Sequence, residues 1–453
     1  MYTILPKNLI HLAKNSTTPL YVVGGSVRDF LAGLTPNTLQ KDWDICSPMS
    51  AEEFCALAKK CGFTVCSVFK NTGTVKLKDA CNQEYEFSCF RYDKYVRGLH
   101  TPAKITFTKD IKLDALRRDF TVNAVYYDIQ NKTFVDPLDG ICAIQQKRLT
   151  TVAPAKKVFS EDGLRLLRLA RFHGTLGFSP DEECLFGAMQ YAHLIQDISP
   201  ERIYSELSAI LVADEKYNVK QGHYLALSLL AQTRVLDYIL PELTLGRAMQ
   251  QRKDFHQYDV LEHSLRSVLY ADKQVRLACL LHDVGKPFCF NRDGNFYAHA
   301  VEGSRIAVEV LHRWKAPKSV ITETEQLIAL HMQDLDLKTS INKLRRFLVA
   351  HYPLLPKLLL LKQADFSACM DEKSPAPTCV KWQNLLQKMK EEKTPFSLKE
   401  LAVNGNDLLT LDIPKTHLSA ILKQLLNHTA IQPKDNVKER LLRLALAFEK
   451  SLC

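Results

Sequence analysis

The N-terminal part of the chain alternates between patterns of apolar residues that are typical of strands and of helices. Residues 21–23 form a short apolar run that ends at a Gly-Gly-Ser turn, residues 24–26. Residues 50–60 repeat apolar side chains at helical spacing, whereas residues 63–69 and 73–77 alternate apolar and polar side chains as strands do. These patterns predict a sheet whose strands are joined by helices.

Farther along the chain the spacing of apolar residues becomes helical, first over residues 164–213. Ser160 is predicted to cap a helix, with the Glu161 carboxylate in its first turn. Pro200 marks another helix start, and the Gly-Lys-Pro sequence at residues 285–287 is predicted to end a helix. Because 453 residues are too many for one compact core, we expect a mixed head followed by helical domains.

Composition and charge change this picture little. The chain is 46% hydrophobic and 24% charged, as is typical of globular proteins. No apolar run reaches the ~18 residues of a membrane span and no N-terminal leader is recognisable, so we expect a soluble cytoplasmic protein without membrane contact. The 13 cysteines are scattered without a Cys-x-x-Cys pair, which favours reduced thiols. The net charge of +10 suits a polyanionic partner but is weak evidence alone.

Two carboxylates follow the glycine turn, at Asp42 and Asp44. If residues 42–45 form a strand, both side chains point to the same face, one pleat apart. Neighbouring carboxylates repel each other unless a cation lies between them, and Mg²⁺ prefers oxygen ligands. The glycines allow backbone amides to approach a phosphate closely. A phosphate-binding turn followed by metal-binding carboxylates is typical of a nucleotidyl transferase.

Further motifs follow in a fixed order. The motifs are YVVGGSVRDFLAGLTPNTLQKDWDI at residues 21–45, RRDFTVNA at 117–124, DPLDG at 136–140, EDGLR at 161–165 and ERIYSEL at 201–207. Together they resemble the motifs of class II tRNA CCA-adding enzymes and bacterial poly(A) polymerases. The resemblance implies a polymerase-beta-like nucleotidyltransferase head that uses Mg²⁺. It also implies template-independent addition of CCA to the 3′ end of tRNA from CTP and ATP.

The resemblance assigns roles to individual residues of the head. Asp42 and Asp44 would hold the metal ions, together with a third carboxylate that corresponds to Glu86. Glu84 lies on the same face of the predicted strand and is the alternative. The residues expected to bind the triphosphate and the sugar are Gly24, Gly25, Ser26, Arg28, Arg118, Asp119 and Asn123, with Asp29 bracing the turn.

Asp162 and Arg165 match the pattern with which the family reads the incoming base. Three residues apart on a helix, they would be neighbours that offer an acceptor beside fixed donors. Cytosine and adenine present an amino group next to a ring-nitrogen acceptor, whereas uracil and guanine present a carbonyl and an N–H there. The pair would thus select C and A without a nucleic-acid template, and Arg168 could brace it. Glu201 and Glu206 are predicted to pair with arginines and stabilise the helices.

The polar loop at residues 91–104 corresponds to a loop that the family uses in switching from C to A addition. Arg91, Asp93 and Tyr95 match that loop, whereas Arg97 departs from its usual acidic residue. The alternatives are therefore a poly(A) polymerase or a partial CC- or A-adding enzyme of the same family.

A second group of metal-ligating residue types lies between residues 255 and 370. It comprises His263, His282, Asp283, His299, His331 and Asp365. The segment resembles an HD domain, a metal-dependent phosphohydrolase fold, and the predicted ligands are His263, His282, Asp283, His331 and Asp365. Imidazoles with carboxylates suit a transition metal such as Mn²⁺, Ni²⁺ or Fe²⁺. The alternatives are a purely structural helical domain or an HD phosphohydrolase that acts on RNA 3′ ends.

These expectations divide an α+β chain into four parts. They are a nucleotidyltransferase α/β head at residues 1–150, a helical neck that binds nucleotide and tRNA at 151–250, an HD domain at 251–370 and a helical tail at 371–453. The tail resembles the C-terminal part of clostridial-type CCA-adding enzymes, and it is expected to bind tRNA.

Overall fold

The chain divides into two compact units in the computed structural model. The residues that the structure describes are 1–36, 43–94, 103–251, 254 and 257–450. The first unit comprises Met1–Thr244 and Val310–Ala316, and the second comprises Leu245–Glu309 and Pro317–Cys453. No helix in the described ranges is long and apolar enough to cross a membrane.

In its described residues, the first unit contains a mixed seven-stranded sheet and two separate pairs of strands. Its strands are β1 (Tyr21–Val23), β2 (Trp43–Ser47), β3 (Thr64–Phe69), β4 (Thr74–Lys78), β5 (Glu84–Cys89), β6 (Arg91–Lys94), β7 (Lys104–Phe107), β8 (Tyr126–Asp128), β9 (Thr133–Val135), β10 (Arg148–Leu149) and β11 (Ser179–Pro180). Seven of them form one sheet in the order β3-β4-β5-β2-β1-β8-β9. Only β2 and β5 run parallel in it, and the other neighbouring strands are antiparallel.

Alternation of side chains places the carboxylates of β5 on the open face of this sheet. Glu84 and Glu86 are exposed, whereas Tyr85 and Phe87 between and after them are buried, as the sequence pattern predicts. The ring of Phe87 stacks on that of Phe54 at a centroid distance of 3.6 Å. The buried face therefore packs on the helix that carries Phe54, and the other face remains available for chemistry.

Helices follow and surround this sheet in the first unit. They are α1 (Lys7–Lys14), α2 (Gly25–Leu31), α3 (Ala51–Lys60), α4 (Ile111–Leu116), α5 (Gly140–Gln145), α6 (Ala155–Glu161), α7 (Leu164–Leu176), α8 (Glu182–Tyr191), α9 (Pro200–Leu211), α10 (Gly222–Gln232), α11 (Val235–Ile239) and α12 (Pro241–Thr244). A 3-10 turn at Thr121–Asn123 precedes β8. The mixed head followed by helices confirms the predicted α+β class.

The predicted helix start at Ser160 is wrong. Ser160 lies inside α6, and its hydroxyl donates to the Lys157 carbonyl at 3.0 Å. Helix α6 ends before Asp162, whose backbone is extended with φ of −150°, and α7 begins only at Leu164. The segment beside this break is tightly packed, because a Cβ at Gly163 would lie 2.5 Å from the Leu194 carbonyl oxygen. Ser160 is a common capping residue, but here the helix start lies four residues later.

Two further boundaries differ from the sequence pattern. The predicted helical stretch at residues 164–213 is interrupted, because α7 ends at Gly177 in a left-handed conformation with φ of +67° and β11 follows. Gly285 and Pro287 open a helix rather than end one, and Pro287 occupies its first turn. Pro200 does begin α9, as predicted.

The second unit is helical throughout its described part. Its helices are α13 (Val260–Tyr270), α14 (Arg276–Leu281), α15 (Lys286–Asp293), α16 (His299–Arg313, whose last residues belong to the first unit), α17 (Lys318–Leu330), α18 (Ile341–Ala350), α19 (Leu355–Met370), α20 (Pro377–Glu391), α21 (Gly405–Leu409), α22 (Leu418–Ile431) and α23 (Lys438–Glu449). The last three surround a small apolar core that includes Leu408, Leu425 and Leu441. This core confirms that the tail is folded as helices.

Candidate functional site

Asp44 and Glu86 lie side by side on the open face of the sheet. They are register partners on the parallel strands β2 and β5, and both are exposed. Asp42, predicted as their companion, lies outside the described residues. Two adjacent carboxylates that face solvent are suited to share a hard cation.

The alternative carboxylate, Glu84, has a different neighbourhood on the same strand. Its side chain pairs with Lys78 at 2.9 Å, whereas Glu86 lies 3.6 Å from the Lys76 amine. Glu86 is thus the carboxylate directly beside Asp44, and its role in catalysis remains a prediction.

The glycine turn passes close to this carboxylate pair. Gly24 has a φ of +77°, which favours glycine. A Cβ added there would lie 3.0 Å from Asp44 Oδ2. The absence of a side chain at residue 24 thus gives the Asp44 carboxylate room beside the turn.

A large cleft in the first unit joins the turn, the carboxylates and the start of α7. Its volume is about 1260 Å³. The charged residues that line it are Arg28, Asp29, Asp44, Glu86, Arg91, Asp93, Arg117, Arg118, Asp119, Asp162, Arg165, Arg168, Arg171, Arg202 and Lys216. Since cations outnumber carboxylates in this lining, the cleft favours a polyanionic ligand such as a nucleoside triphosphate.

Arg28 is the centre of the phosphate corner predicted around the glycine turn. The side chain is only 4% exposed, and its Nε and Nη2 donate to Asp29 Oδ1 at 3.0 and 2.6 Å. Its Nη1 donates to Asn123 Oδ1 at 2.7 Å. Asp29 also accepts a hydrogen bond from Tyr217. Asp29 therefore holds the Arg28 side chain, whereas the sequence predicted that it braces the turn itself.

Arg117 and Arg118 directly follow α4, and Arg117 is the C-cap of that helix. Both pair with Asp114, a fully buried carboxylate, at 2.8 and 3.3 Å. The Tyr126 hydroxyl also donates to Asp114 at 2.7 Å. Burial opposes the charge on Asp114, but Arg117 and Arg118 outweigh it and lower the pKa of Asp114 below its usual value. Sequence reasoning missed Asp114, although its spacing of three and four residues from the arginines was a usable signal.

Asp119 connects the head to α7. Its Oδ1 accepts from the Phe120 amide at 2.8 Å and from Asn123 Nδ2 at 3.1 Å, and its Oδ2 accepts from Arg168 Nε at 2.7 Å. Burial is opposed by the Arg168 charge and these donors, which lower the pKa of Asp119. Arg168 thus pairs with Asp119, and its bracing of the Asp162–Arg165 pair stays a prediction. A ribose hydroxyl would have to share a carboxylate that is already well occupied.

The EDGLR segment has a different geometry from the predicted helical pair. Arg165 is 5% exposed and donates to the Val158 carbonyl at 3.0 Å and the Arg117 carbonyl at 2.8 Å. Its carboxylate partner is Glu161, at 3.1 Å, so Glu161 is not a helix cap. Asp162 accepts from the Leu164 amide at 3.0 Å. Asp162 and Arg165 line the same cleft, and base reading by them remains a prediction.

Phe172 holds several arginines of the cleft in place. The guanidinium carbons of Arg28, Arg168 and Arg171 lie 5.4, 5.2 and 4.6 Å from the centre of its ring. Arg171 also pairs with Glu206 at 2.6 Å, as predicted for that glutamate. Glu201, predicted to pair with an arginine, pairs with a lysine instead, Lys315.

The base of the loop at residues 91–104 is only partly described. Arg91 and Asp93 lie on β6, 3.2 Å apart, and both line the cleft. Tyr95 and Arg97 lie outside the described residues. The difference at Arg97 is therefore known only from the sequence.

A buried cluster of imidazoles and carboxylates occupies the second unit. Asp283 Oδ2 lies 3.4 Å from His263 Nε2 and 3.3 Å from His282 Nε2. Asp283 Oδ1 lies 3.3 Å from His299 Nε2 and 3.9 Å from that of His331. One carboxylate thus faces two pairs of imidazoles, and His299, which was not among the predicted ligands, is part of the cluster.

Two more side chains complete this cluster. Asp365 Oδ1 lies 3.0 Å from His263 Nε2 and 3.4 Å from His282 Nε2. The buried amine of Lys286 lies 2.6 Å from Asp283 Oδ2. All the predicted HD ligands are therefore brought together.

Hydrogen bonds to backbone carbonyls set the tautomers of three of these histidines. Nδ1 of His282, His299 and His331 lies 2.7, 2.8 and 2.6 Å from the carbonyls of Cys279, Phe296 and Ile328. A carbonyl can only accept, so each Nδ1 carries a proton, and each Nε2 is the nitrogen that can bind a metal ion once it is deprotonated. Imidazoles oriented in this way fit a transition metal ion.

Three family profiles match successive parts of the chain. A "Poly A polymerase head domain" matches residues 20–150, a "Probable RNA and SrmB- binding site of polymerase A" matches residues 177–245, and an "HD domain" matches residues 256–366.

Curated proteins and solved structures are also similar to the chain. The CCA-adding enzyme of Lactococcus lactis subsp. cremoris is 32% identical over 241 residues, which are 52% of this chain and 56% of that protein. The chain thus spans little more than half the length of that relative. The A-adding tRNA nucleotidyltransferase of Deinococcus radiodurans is 30% identical over 77% of this chain and 76% of its own length. The CCA-adding enzyme of Bacillus stearothermophilus, in complex with CTP, has the same fold, with a TM-score of 0.69 at 24% identity over 99% of both chains.

Proposed function

Because this chain belongs to the tRNA nucleotidyltransferase and poly(A) polymerase family, we propose that it adds CCA to the 3′ end of tRNA from CTP and ATP. The observation that carries the proposal is the pairing of Asp44 with Glu86 at the edge of an arginine-lined cleft. Nucleotidyl transfer needs such carboxylates next to a site for a triphosphate. The names of the similar proteins, which include a CCA-adding enzyme, support the same reaction.

Asp44 and Glu86, together with Asp42, are the residues that would hold Mg²⁺. Their exposure to the cleft and their direct pairing across two strands suit oxygen coordination of a hard cation. When bound, the metal would lower the pKa of the 3′-hydroxyl and offset the charge of the leaving pyrophosphate.

The triphosphate would be bound by the arginines of the head. Arg118 is oriented by the buried carboxylate of Asp114, and Arg28 is oriented by Asp29. Guanidinium groups held by carboxylates lose little entropy when they bind phosphate oxygens. The backbone of the glycine turn can approach the same phosphates because Gly24 has no side chain.

The base would be selected by Asp162 and Arg165, which line the same cleft. An acceptor on Asp162 suits the exocyclic amino group of cytosine or adenine, and an N–H of Arg165 suits the neighbouring ring nitrogen. Uracil and guanine reverse donors and acceptors at these positions, so they would leave buried polar groups unpaired. Selection by side chains needs no nucleic-acid template.

A primer-extension assay tests this function. A tRNA transcript that ends at its discriminator base is incubated with Mg²⁺ and with CTP, ATP, UTP or GTP, singly and mixed. We expect addition of C, C and A, with CTP needed before ATP and no use of UTP or GTP. Extension by two C residues only would indicate a CC-adding enzyme. A second transcript that already ends in CC is tested in parallel, and extension of that transcript alone, by A, would indicate an A-adding enzyme. A long A-tail would indicate a poly(A) polymerase, and no extension would contradict the proposal.

The buried cluster of the second unit favours a second candidate function, that of a metal-dependent phosphohydrolase acting on RNA 3′ ends. The supporting observation is that the Nε2 atoms of His282, His299 and His331 lie 3.3, 3.3 and 3.9 Å from the Asp283 carboxylate, while Nδ1 of each lies against a backbone carbonyl. A bound Mn²⁺, Ni²⁺ or Fe²⁺ would supply Lewis-acid chemistry. The chain itself would contribute Lys286, whose buried amine beside Asp283 can bind a phosphate oxygen.

Replacing His331 with glutamine should weaken binding of a transition metal. Loss of a direct ligand should cost at least as much as loss of a residue that only orients one, so we expect the dissociation constant for Mn²⁺ to rise about tenfold or more. The measurement is calorimetric titration of the full chain, with metal content checked by mass spectrometry. His312, which is exposed on α16, provides a matched control as His312→Gln. Equal affinities of both variants and the wild type would show that the cluster is structural.

A further inference from the structure

We propose that Tyr217 is a positioning residue for nucleoside triphosphates, acting through Asp29 and Arg28. Tyr217 lies in the turn between α9 and α10, far along the chain from the glycine turn. Its hydroxyl nevertheless donates a hydrogen bond to Asp29 Oδ2. This inference rests on the proposed nucleotidyl transfer, because it concerns how the same cleft binds its substrate.

The contact of Tyr217 is the first link of a continuous chain of hydrogen bonds. Asp29 uses its other oxygen, Oδ1, to accept from Arg28 at 2.6 and 3.0 Å. Arg28 also donates to Asn123 Oδ1 at 2.7 Å, and Asn123 donates to Asp119 Oδ1 at 3.1 Å. The helical part of the unit is thereby tied to the groups that face the phosphates and the sugar.

The Tyr217 hydroxyl is important because Asp29 carries a negative charge in a cleft that is proposed to bind a negatively charged triphosphate. Asp29 lines the cleft, where a free carboxylate would repel the triphosphate. Tyr217 donates to one oxygen of Asp29 and Arg28 donates to the other, so the carboxylate is fixed in position and its charge is partly neutralised. Burial and the Asp29 charge both raise the pKa of Tyr217, so the hydroxyl remains a donor at neutral pH. No base-facing residue takes part in these contacts.

Replacing Tyr217 with phenylalanine removes only the hydroxyl. We expect the dissociation constants of CTP and ATP, measured calorimetrically with Mg²⁺ and without tRNA, to rise by the same factor of about ten. In extension assays KM should rise by a similar factor and kcat should change less than about twofold, because the reacting groups are not touched. The melting temperature should change by no more than a few degrees.

A control variant and a double variant show whether the effect is specific to Tyr217 and whether it depends on Asp29. Tyr238 is 40% exposed, and Tyr238→Phe should leave the affinity for both nucleotides unchanged. In an Asp29→Asn background, which removes the charge, Tyr217→Phe should change affinity by less than about threefold, because the two residues act together. Fully additive effects would show that Tyr217 does not act through Asp29.

Other results would overturn the inference. Unchanged affinity for both nucleotides in Tyr217→Phe would do so, and so would a change confined to CTP or to ATP, since that would indicate base reading. A loss of affinity that merely follows a large fall in melting temperature would assign Tyr217 a structural role. If the wild type binds nucleotides without extending tRNA, the proposed function fails while the role of Tyr217 is still measured by binding.

Discussion

Asp44→Asn is expected to slow nucleotide addition at least about a thousandfold without unfolding the protein. The side chain is exposed at the edge of the cleft, so its replacement removes no packing. An asparagine is neutral and holds a divalent cation poorly, and the attacking hydroxyl and the leaving group would both lose the charge that stabilises them. The measurement is the single-turnover rate of C addition to a tRNA transcript at saturating CTP and Mg²⁺.

Matched carboxylate variants control for loss of charge alone. Asp197 is exposed outside the cleft, and Asp197→Asn should add nucleotides at the wild-type rate. Glu86→Gln should slow the reaction at least about a hundredfold, whereas Glu84→Gln, which loses only its contact with Lys78, should have a much smaller effect. A rate for Asp44→Asn within tenfold of the wild type would show that the catalytic carboxylates lie elsewhere.

Features of the head that depend on local pattern were predictable from the sequence. Alternation of side chains along β5 was enough to place Glu84 and Glu86 on one face and Tyr85 on the other. The resemblance then singled out Glu86, and the register of two parallel strands brings it beside Asp44. The alternation of side chains along a strand depends only on neighbouring residues, so it can be predicted from the local sequence alone.

Features that depend on distant contacts were not predictable. Gly163 is a local sign of the break between α6 and α7, but its close approach to Leu194 could not be predicted from the sequence. Tyr217 bonds to Asp29 although 188 residues separate the two along the chain. His299 was noted in the sequence among the metal-ligating residue types, but its place in the cluster, 3.3 Å from Asp283, depends on the packing of α16. Local propensity is a weak prior when tertiary packing decides the outcome.

Replacing the buried Asp114 with asparagine is expected to destabilise the first unit by about 3–5 kcal/mol. Asp114 has no exposed surface, and it is the common partner of Arg117, Arg118 and Tyr126. An asparagine leaves two cations beside a neutral group in a region screened little by water, and part of their desolvation cost is no longer compensated. Hydrogen exchange of the β1 and β8 amides, which reports the opening free energy of this sheet, is the measurement.

Asp110 on the same helix serves as the control for this experiment. It is exposed and caps α4 through a 2.8 Å bond from the Lys112 amide, and Asp110→Asn should cost less than about 0.5 kcal/mol because asparagine caps equally well.

The difference in unfolding free energy between the wild type and Asp114→Asn should also depend on pH. The pKa of Asp114 is lower in the folded protein than its unfolded value of about 3.9. Its contribution is therefore complete above pH 4 and is lost as the pH falls through the folded pKa. A difference that stayed constant to low pH would mean that packing, rather than charge, makes Asp114 necessary.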